Sequence, residues 1–262
     1  MTETAARSDF RNLWVRTATG IVLLLVAIGA LYAGKGAFWL LATFLAAAMM
    51  VEWGGLMRAG AAKSVIAAAL ILALLIYAHP SVRLIDMTTL AALLGGAIAT
   101  AAVTMNPKIG GGFLYIGLGS LAIVFLREQG GLVLTLWALA VVWATDIGAY
   151  FSGKSIGGPK LAPALSPNKT WAGLIGGMIS AVLVSAIFAW FGSIPMAFVP
   201  FAAGLAVLAQ LGDLYESWLK RRADVKDSSN LFPGHGGALD RLDGLLPVAI
   251  CVAGLAAAGA IA

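Results

Sequence analysis

Side chains that form disulfides and zinc sites are scarce in this sequence. Its 262 residues include one cysteine, Cys251, and two histidines, His79 and His235. A single cysteine excludes an internal disulfide and a cysteine metal cluster, and its place in an apolar run predicts an inert, buried thiol. A metal site here would therefore use oxygen ligands, which favour Mg²⁺ or Mn²⁺ over Zn²⁺.

Charged residues are scarce as well. Only 11% of the residues are charged, whereas 61% are hydrophobic, and soluble domains average about 45–50% apolar residues. Segments of about ten residues with alternating polarity, which are typical of membrane β-barrels, are absent. Because a helix satisfies its own backbone hydrogen bonds in lipid, the sequence predicts an all-α, polytopic integral membrane protein.

Nine apolar segments are candidates for transmembrane helices. They lie near residues 17–34, 37–57, 64–78, 88–105, 110–126, 131–152, 171–192, 197–216 and 245–262. The first follows three arginines and resembles a signal peptide, but the eight further segments make cleavage an unnecessary assumption. Nine spans would place the two termini on opposite sides of the membrane.

The distribution of basic residues predicts which terminus is cytoplasmic. With the N-terminus inside, all but three of the 17 Lys and Arg residues lie on the cytoplasmic side, and only Lys35, Arg83 and Arg127 lie outside. This bias predicts a cytoplasmic N-terminus. It also explains the net charge of +5 by topology and contact with anionic membrane lipid, so no nucleic acid partner is expected.

Polar residues are concentrated in the second half of the chain. Residues 1–126 are predicted to be a scaffold of transmembrane helices. Residues 127–262 are predicted to be a catalytic part with two basic cytoplasmic loops, 153–170 and 217–244. Seven of the twelve acidic residues lie between Asp146 and Asp243.

Glu52 lies in MMVEWGGLM, near the cytoplasmic end of the second apolar segment. We expect it to pair with Arg58 or to contact a lipid headgroup, as acidic residues near a membrane interface do. No catalytic role is predicted for it.

Four aspartates are candidate ligands for a metal or a substrate. Asp146 and Asp213 lie toward the cytoplasmic ends of their predicted spans, where an aspartate without a partner is unfavourable by up to about 3 kcal/mol. Asp240 and Asp243 are three residues apart and share one helix face. Other interpretations stay open, since the first pair could bridge to nearby Lys or Arg and the second could complement a helix dipole.

Two glycine-rich motifs are candidates for phosphate binding. PGHGG offers the backbone N–H groups of residues 234–237, and His235 could donate to a phosphate or be a structural loop residue. GAYFSGKS at 148–155 matches the Walker A pattern, but an apolar span precedes it instead of a strand, so a P-loop is not predicted. Lys154 could still line a phosphate site by another geometry.

Residues 217–243 read SWLKRRADVKDSSNLFPGHGGALDRLD and resemble the C-terminal signature of CDP-diacylglycerol synthases, the phosphatidate cytidylyltransferases. The matching positions are Ser217, Lys220, Arg221, Lys226, Asp227, Pro233, His235, Gly236, Gly237, Asp240, Arg241 and Asp243. Upstream, TDIGAYFSGKSIGG and SPNKTWAG resemble two further segments of that family. Two positions depart from its pattern, since Ala238 replaces a larger aliphatic residue and Ala172 replaces a glutamate.

This resemblance implies the reaction of CTP with phosphatidate to give CDP-diacylglycerol and pyrophosphate. It implies Mg²⁺ as cofactor, with Mn²⁺ as an alternative and a second cation as an option. Asp213 and Asp240 would bind the metal, with Asp146 and Asp243 as supporting or second-metal ligands. The candidate catalytic residues are Asp213, Asp240, Lys226 and Arg241. The candidate substrate-binding residues are Lys169, Ser166, Asn168, Lys220, Arg221, Asp227, Gly234, His235, Gly236 and Gly237.

The resemblance also implies a homodimer in the bacterial inner membrane, in contact with membrane lipid and with its active site facing the cytoplasm, where CTP is available. Two other functions stay open. A CTP-dependent kinase of a lipid alcohol would need similar groups. An ion-coupled secondary transporter would use Asp146 and Asp213 for ions, but it is expected to have two similar halves, which the sequence lacks.

Overall fold

The computed structural model describes residues 2–82 and 85–260, with side chains from residue 17 onward except that of Lys35. The prediction of orientation rests in part on Arg83 and on the side chains of Arg7, Arg11, Arg16 and Lys35, which lie outside the described residues. Within the described ranges the chain forms ten α-helices and one β-hairpin.

Most of the chain consists of long helices joined by short connections. In chain order the ten helices, of which α9 is a single turn, are α1 Thr2–Ala33, α2 Lys35–Leu56, α3 Ala61–Tyr77, α4 Met87–Thr104, α5 Pro107–Glu128, α6 Gly131–Ser155, α7 Trp171–Trp190, α8 Phe201–Arg222, α9 Leu239–Leu242 and α10 Leu245–Ala257. The strands β1 (Lys160–Ala162) and β2 (Ser166–Thr170) pair antiparallel between α6 and α7. A 3₁₀ turn, Met196–Phe198, precedes α8.

The prediction of a helical membrane protein is confirmed. Each of the nine predicted apolar segments coincides with a long helix among the described residues. By length and composition, five helices can cross a membrane: Gly36–Leu56, Met87–Thr104, Pro107–Glu128, Gly131–Ser155 and Trp171–Trp190. Three apolar helices are shorter: Thr17–Ala33, Ala61–Tyr77 and Leu245–Ala257. The number of spans and the side of the N-terminus stay predictions.

The second half of helix α8 is rich in charged residues. It continues to Arg222, beyond the predicted end near residue 216. The sequence there is rich in good helix formers, and Lys220 forms an ion pair with Glu216 one turn earlier, a spacing that supports a helix. Asp213 lies on the same helix, so α8 carries charged groups into the bundle.

Two buried clusters hold the helices together. The first surrounds Phe113 and Ile116 of α5 and also contains Leu239 and Leu246 from the second half of the chain. The second joins α6, α7, α8 and α10 around Trp137, whose indole N–H donates to Ser185 Oγ at 2.8 Å. Residues from before and after position 127 therefore share a core.

Small residues let α6 and α7 approach each other closely. The buried residues of α7 are Gly173, Gly177, Ala181, Ser185 and Ala189. They recur every four residues, the spacing that brings helix backbones together in membranes. A methyl group on Gly177 would lie 2.9 Å from the backbone oxygen of Thr145 on α6. The two helices therefore pack closely on each other, and the hairpin of β1 and β2 connects them.

The contact between α2 and α5 makes a first prediction. The Trp53 indole donates to the backbone oxygen of Lys108 at 2.9 Å, and a Cβ at Gly112 would overlap that indole. We expect Gly112→Ala to lower the free energy of unfolding by about 1–3 kcal/mol, seen as a lower thermal unfolding midpoint in detergent. Gly111→Ala is the matched control, since nothing lies within 4 Å of its added Cβ. Equal midpoints for the two variants would contradict the tight contact.

Candidate active site

A polar cavity of about 580 Å³ lies between the second half of α6, β2, the start of α7 and the middle of α8. Its lining residues are Asp146, Ala149, Tyr150, Gly153, Lys154, Asn168, Lys169, Thr170, Gly173, Leu174, Gln210 and Asp213. Thr170 caps α7 by accepting from the Gly173 N–H at 3.0 Å. The chain thus turns directly from β2 into α7. The lining of the cavity contains both basic and acidic side chains.

Lys169 connects the hairpin to α8. Its Nζ lies 2.5 Å from Asp213 Oδ2 and donates to Gln210 Oε1 at 2.9 Å. Ser217 Oγ donates to the other carboxylate oxygen of Asp213 at 3.4 Å. The Asp213 side chain remains 36% exposed, so a ligand in the polar cavity can reach it.

Asp146, Asp213 and Asp243 lie close enough to interact electrostatically. Burial raises the pKa of Asp243, and the charges of Asp213 and Asp146 raise it further, whereas the Gly244 N–H and Lys169 lower it. A hard cation would relieve the repulsion among these oxygens, so the chemistry of the three carboxylates fits Mg²⁺. In the described part of the chain, however, no three His, Cys, Asp or Glu residues are arranged as a preformed metal site.

Asp240 contacts a different set of donors. Its Oδ1 accepts from Lys220 Nζ at 2.7 Å. Its Oδ2 accepts from the N–H and Oγ of Ser228 at 2.9 and 2.8 Å and from the Gly237 N–H at 2.7 Å. Burial alone would raise the pKa of Asp240, but the hydrogen bonds that it accepts from Lys220, Gly237 and Ser228 outweigh burial and hold the pKa below its usual value. The four predicted aspartates are therefore divided between two environments, and the metal role of Asp240 stays a prediction.

Lys220 lies between two buried carboxylates. Its Nζ is 2.6 Å from Glu216 Oε2 and 2.7 Å from Asp240 Oδ1. The side chain of Lys220 is 14% exposed, and those of Glu216 and Asp240 are 3% and 5% exposed. Lys220 was predicted to bind substrate, but its immediate partners belong to the protein itself.

The loop 223–238 uses its own backbone to form a turn. The Phe232 N–H donates to the Gly236 oxygen at 2.9 Å, and the His235 N–H donates to the Phe232 oxygen at 2.8 Å. Gly234 and Gly236 have φ of 76° and 81°, which favours glycine. The N–H groups of His235 and Gly237 are both bonded within the protein, and the predicted phosphate contact of this backbone stays a prediction.

An apolar cleft of about 620 Å³ shares Asp146 with the polar cavity. Its apolar lining consists mainly of Gly20, Leu23, Leu24, Val26, Ala27, Leu41, Phe44, Leu45, Leu139, Val142, Trp143, Leu242 and Leu245. The polar lining is Asp146, His235, Arg241 and Asp243. Arg241 Nε donates to the His235 oxygen at 2.8 Å, which directs this arginine along the loop. A hydrophilic ligand and a hydrophobic ligand could therefore meet beside Asp146.

Glu52 is the residue at this site that the sequence interpretation missed. It is 5% exposed and accepts hydrogen bonds from four groups of residues 228–239. The predicted pairing with Arg58 is wrong, because Arg58 lies beyond the end of α2 and pairs with Asp224 at 2.6 Å. The only sequence feature that could have indicated this role is the presence of one carboxylate in an otherwise apolar part of α2.

Several predicted site residues do not line the polar cavity. Arg221 is exposed, and its Nε donates to the backbone oxygen of Leu165 in the hairpin at 3.4 Å. Lys226 and Asp227 are exposed on the loop 223–238. Ser166 pairs with Ala162 in the hairpin and does not line the cavity.

The Walker-like motif at 148–155 belongs to α6, which confirms that it is not a P-loop. Lys154 from this motif lines the polar cavity, with its Nζ 3.3 Å from the Tyr150 hydroxyl. Asn168 of β2 also lines the cavity. These two predicted residues therefore lie in one compartment with Lys169 and Asp213.

Nearly the whole described chain matches one protein family. The model of the cytidylyltransferase family covers residues 14–258. The chain belongs to the cytidylyltransferase family. A similar member is the phosphatidate cytidylyltransferase of Pseudomonas aeruginosa, which is 36% identical over 253 residues, or 88% of this chain and 92% of that protein.

Two other members of the cytidylyltransferase family are similar over shorter stretches. The phosphatidate cytidylyltransferase of Brucella suis is 49% identical over 142 residues, 53% of each chain. That of Bacillus subtilis is 46% identical over 138 residues, 51% of each chain. These two matches span about half the length of the relatives. The family membership predicted from residues 217–243 is confirmed.

A second prediction concerns the contribution of Lys220 to stability. Lys220→Met would leave two buried carboxylates without their cation, so we expect it to lower the free energy of unfolding by about 3 kcal/mol. Lys226→Met removes the same charge from an exposed residue of the same family signature and should leave stability within about 0.5 kcal/mol. Thermal unfolding in detergent without substrate measures both. Similar midpoints for the two variants would refute the structural role of Lys220.

Proposed function

We propose that this chain transfers the cytidylyl group of CTP to phosphatidate, which forms CDP-diacylglycerol and releases pyrophosphate. The observation that carries this proposal is the position of Asp146, which lines both the polar cavity and the apolar cleft. The first compartment suits a triphosphate and the second suits acyl chains, and a reaction between a nucleotide and a lipid needs both. The similar proteins from P. aeruginosa, B. suis and B. subtilis are named phosphatidate cytidylyltransferases.

In the proposed reaction an anionic oxygen of the phosphatidate phosphate attacks the α-phosphorus of CTP. The bond from this phosphorus to the oxygen that bridges to the β-phosphate breaks, and pyrophosphate leaves with that oxygen. Because the attacking phosphate is already ionised, no strong general base is needed. The repulsion between two unit charges about 4 Å apart is about 4 kcal/mol at an effective dielectric constant near 20, so the site has to supply positive charge.

Basic residues in both compartments can supply that charge. Lys154 and Lys169 in the polar cavity would contact the triphosphate. Arg241 and His235 in the apolar cleft would contact the lipid phosphate. His235 lines the cleft beside Arg241, whose Nε donates to the His235 backbone oxygen.

The acyl chains would extend from the polar lining into the apolar part of the cleft. A second apolar cavity of about 320 Å³ continues from it. The two cavities share Ala27, Leu41, Leu45, Leu139, Trp143, Leu242 and Leu245. This groove runs between apolar helices, so in the proposed membrane orientation phosphatidate would enter it from the lipid phase.

The proposed cofactor is Mg²⁺, which Asp213 would hold together with Asp146 and Asp243. The family resemblance also implies a metal role for Asp240, which would have to exchange its present donors for the ion. When bound, the cation supplies positive charge to the triphosphate and to the departing pyrophosphate. Lys169 orients the Asp213 carboxylate on the wall of the polar cavity. The proposal includes a cytoplasmic active site in the bacterial inner membrane and a homodimer.

A direct test uses purified protein in detergent with phosphatidate, Mg²⁺ and CTP labelled with ³²P at the α-phosphate. We expect the label to enter the lipid fraction as CDP-diacylglycerol and the transfer to stop when EDTA removes Mg²⁺. Asp213→Asn and Asp240→Asn should each lower the rate by at least about a hundredfold. Asp224→Asn is the matched control, since Asp224 is exposed and pairs with Arg58 away from both compartments.

Two results would contradict the proposal. Label that stays in CMP or CDP, together with transfer from CTP labelled at the γ-phosphate, would indicate a lipid-alcohol kinase. Wild-type rates in Asp213→Asn and Asp240→Asn with intact folding would exclude the assigned residues.

The apolar cleft makes a prediction of its own. Leu139→Trp would fill part of the cleft, so we expect the KM for a long-chain phosphatidate to rise about tenfold, with the KM for CTP unchanged. Leu183→Trp is the control, because Leu183 is exposed on α7 and lines neither cavity. Equal phosphatidate KM values in the two variants would show that the acyl chains bind elsewhere.

A further inference from the structure

Glu52 lies on α2 in the scaffold part, yet its hydrogen-bond donors all belong to the catalytic part. Its Oε1 accepts from Ser229 Oγ at 2.7 Å and from the Ala238 N–H at 2.9 Å. Its Oε2 accepts from the Leu239 N–H at 2.8 Å and from Ser228 Oγ at 3.2 Å. Each carboxylate oxygen therefore has two donors, and α2 is joined to the loop 223–238 and the start of α9 by four hydrogen bonds.

The four hydrogen bonds of Glu52 do not form part of an ion pair. Glu52 is 5% exposed, and no Lys or Arg among the described residues forms a salt bridge with it. A buried carboxylate is unfavourable unless hydrogen bonds compensate for lost hydration, and N–H donors to a carboxylate are the strong kind. The first residue flanking α9, Ala238, has no side chain that could cap it. Glu52 supplies the missing acceptor from another helix.

Ser228 extends this connection to Asp240. Its Oγ lies 3.2 Å from Glu52 Oε2 and 2.8 Å from Asp240 Oδ2. A hydroxyl has one proton to donate, so the two carboxylates share it. The Ser228 N–H also donates to Asp240 at 2.9 Å. A shift of Glu52 would therefore displace the donors that hold Asp240.

We infer that Glu52 is a positioning residue, which holds Asp240 and Arg241 in place for cytidylyl transfer without touching a substrate. It acts through three successive N–H groups, of which the Gly237 N–H bonds Asp240 and the next two bond Glu52. The kinetic consequence rests on the proposed function, whereas the anchoring of the loop does not.

Glu52→Gln tests this inference with little change in shape. In either orientation of the amide, its NH₂ group faces the N–H of Ala238 or of Leu239, so one hydrogen bond is replaced by a contact between two donors. We expect kcat to fall by at least about tenfold and the Mg²⁺ concentration for half-maximal rate to rise, while the KM for CTP stays within about twofold.

Glu128→Gln is the matched control. It removes the same charge from a partly buried glutamate at the end of α5, whose Oε1 has no hydrogen-bond partner among the described residues. We expect its kcat and Mg²⁺ requirement to equal those of the wild type. Equal kinetics for Glu52→Gln and Glu128→Gln would overturn the inference.

If Glu52 only stabilised the fold, different kinetic parameters would be expected. Glu52→Gln would then lower the amount of folded protein, but kcat per folded molecule and the Mg²⁺ requirement would match the wild type, and the inference would be wrong. If Glu52→Gln does not fold, Ser229→Ala replaces it, because it removes one of the four bonds and keeps both carboxylates. A kcat about threefold lower is expected there, and an unchanged kcat would overturn the inference.

Hydrogen exchange separates this inference from the proposed function. In Glu52→Gln, the amides of residues 237–240 should exchange faster than in the wild type, while those of α3 should not change. Absence of cytidylyl transfer by the wild type would refute the proposed function and leave the anchoring to be decided by exchange alone. Unchanged exchange at residues 237–240 would refute the anchoring even if the wild type is active.

Discussion

Buried carboxylates that must be supplied with donors are the constraint on which the rest of this structure depends. Glu52 and Asp240 share the hydroxyl of Ser228, and Asp240 and Glu216 share the ammonium group of Lys220. A continuous polar network therefore runs from α2 through the loop 223–238 to α8. Removing one donor from this network would leave a buried charge without its partner, which is strongly unfavourable, so the network restricts the relative positions of these elements. The network thereby fixes the direction of the first turn of α9, which carries Arg241.

Close packing of small residues controls the other side of the candidate site. The buried stripe of small residues on α7 lets its backbone contact α6. The connection between the two helices contains the hairpin of β1 and β2. Lys169 on that hairpin can then reach Asp213 and Gln210 on α8. The polar cavity is thus bounded by three helices and a hairpin whose spacing depends on the absence of bulky side chains.

The two compartments suit a reaction between partners of opposite polarity. The polar cavity has basic and acidic walls, whereas the apolar cleft is lined by α1, α2, α6 and α10 and is polar only where His235, Arg241 and two aspartates face it. Asp146 belongs to both linings. In the proposed reaction, a nucleotide and a lipid would therefore bind at the same time without either entering the environment that suits the other. The membership in the cytidylyltransferase family agrees with this division of the site.

The sequence by itself determined the class of protein, the approximate positions of nine long helices and the segment that carries the family signature, because hydropathy and motif spacing are local properties of the chain. It also identified most of the polar residues around the two compartments, such as Asp146, Lys169, Asp213 and Arg241. Only the tertiary structure decided which polar groups meet. Glu52 and Leu239 are 187 positions apart, and the pairing of Arg58 with Asp224 spans 166 positions. Such partners are chosen by the packing of α2 against the second half of the chain, and no local pattern of residues records that choice.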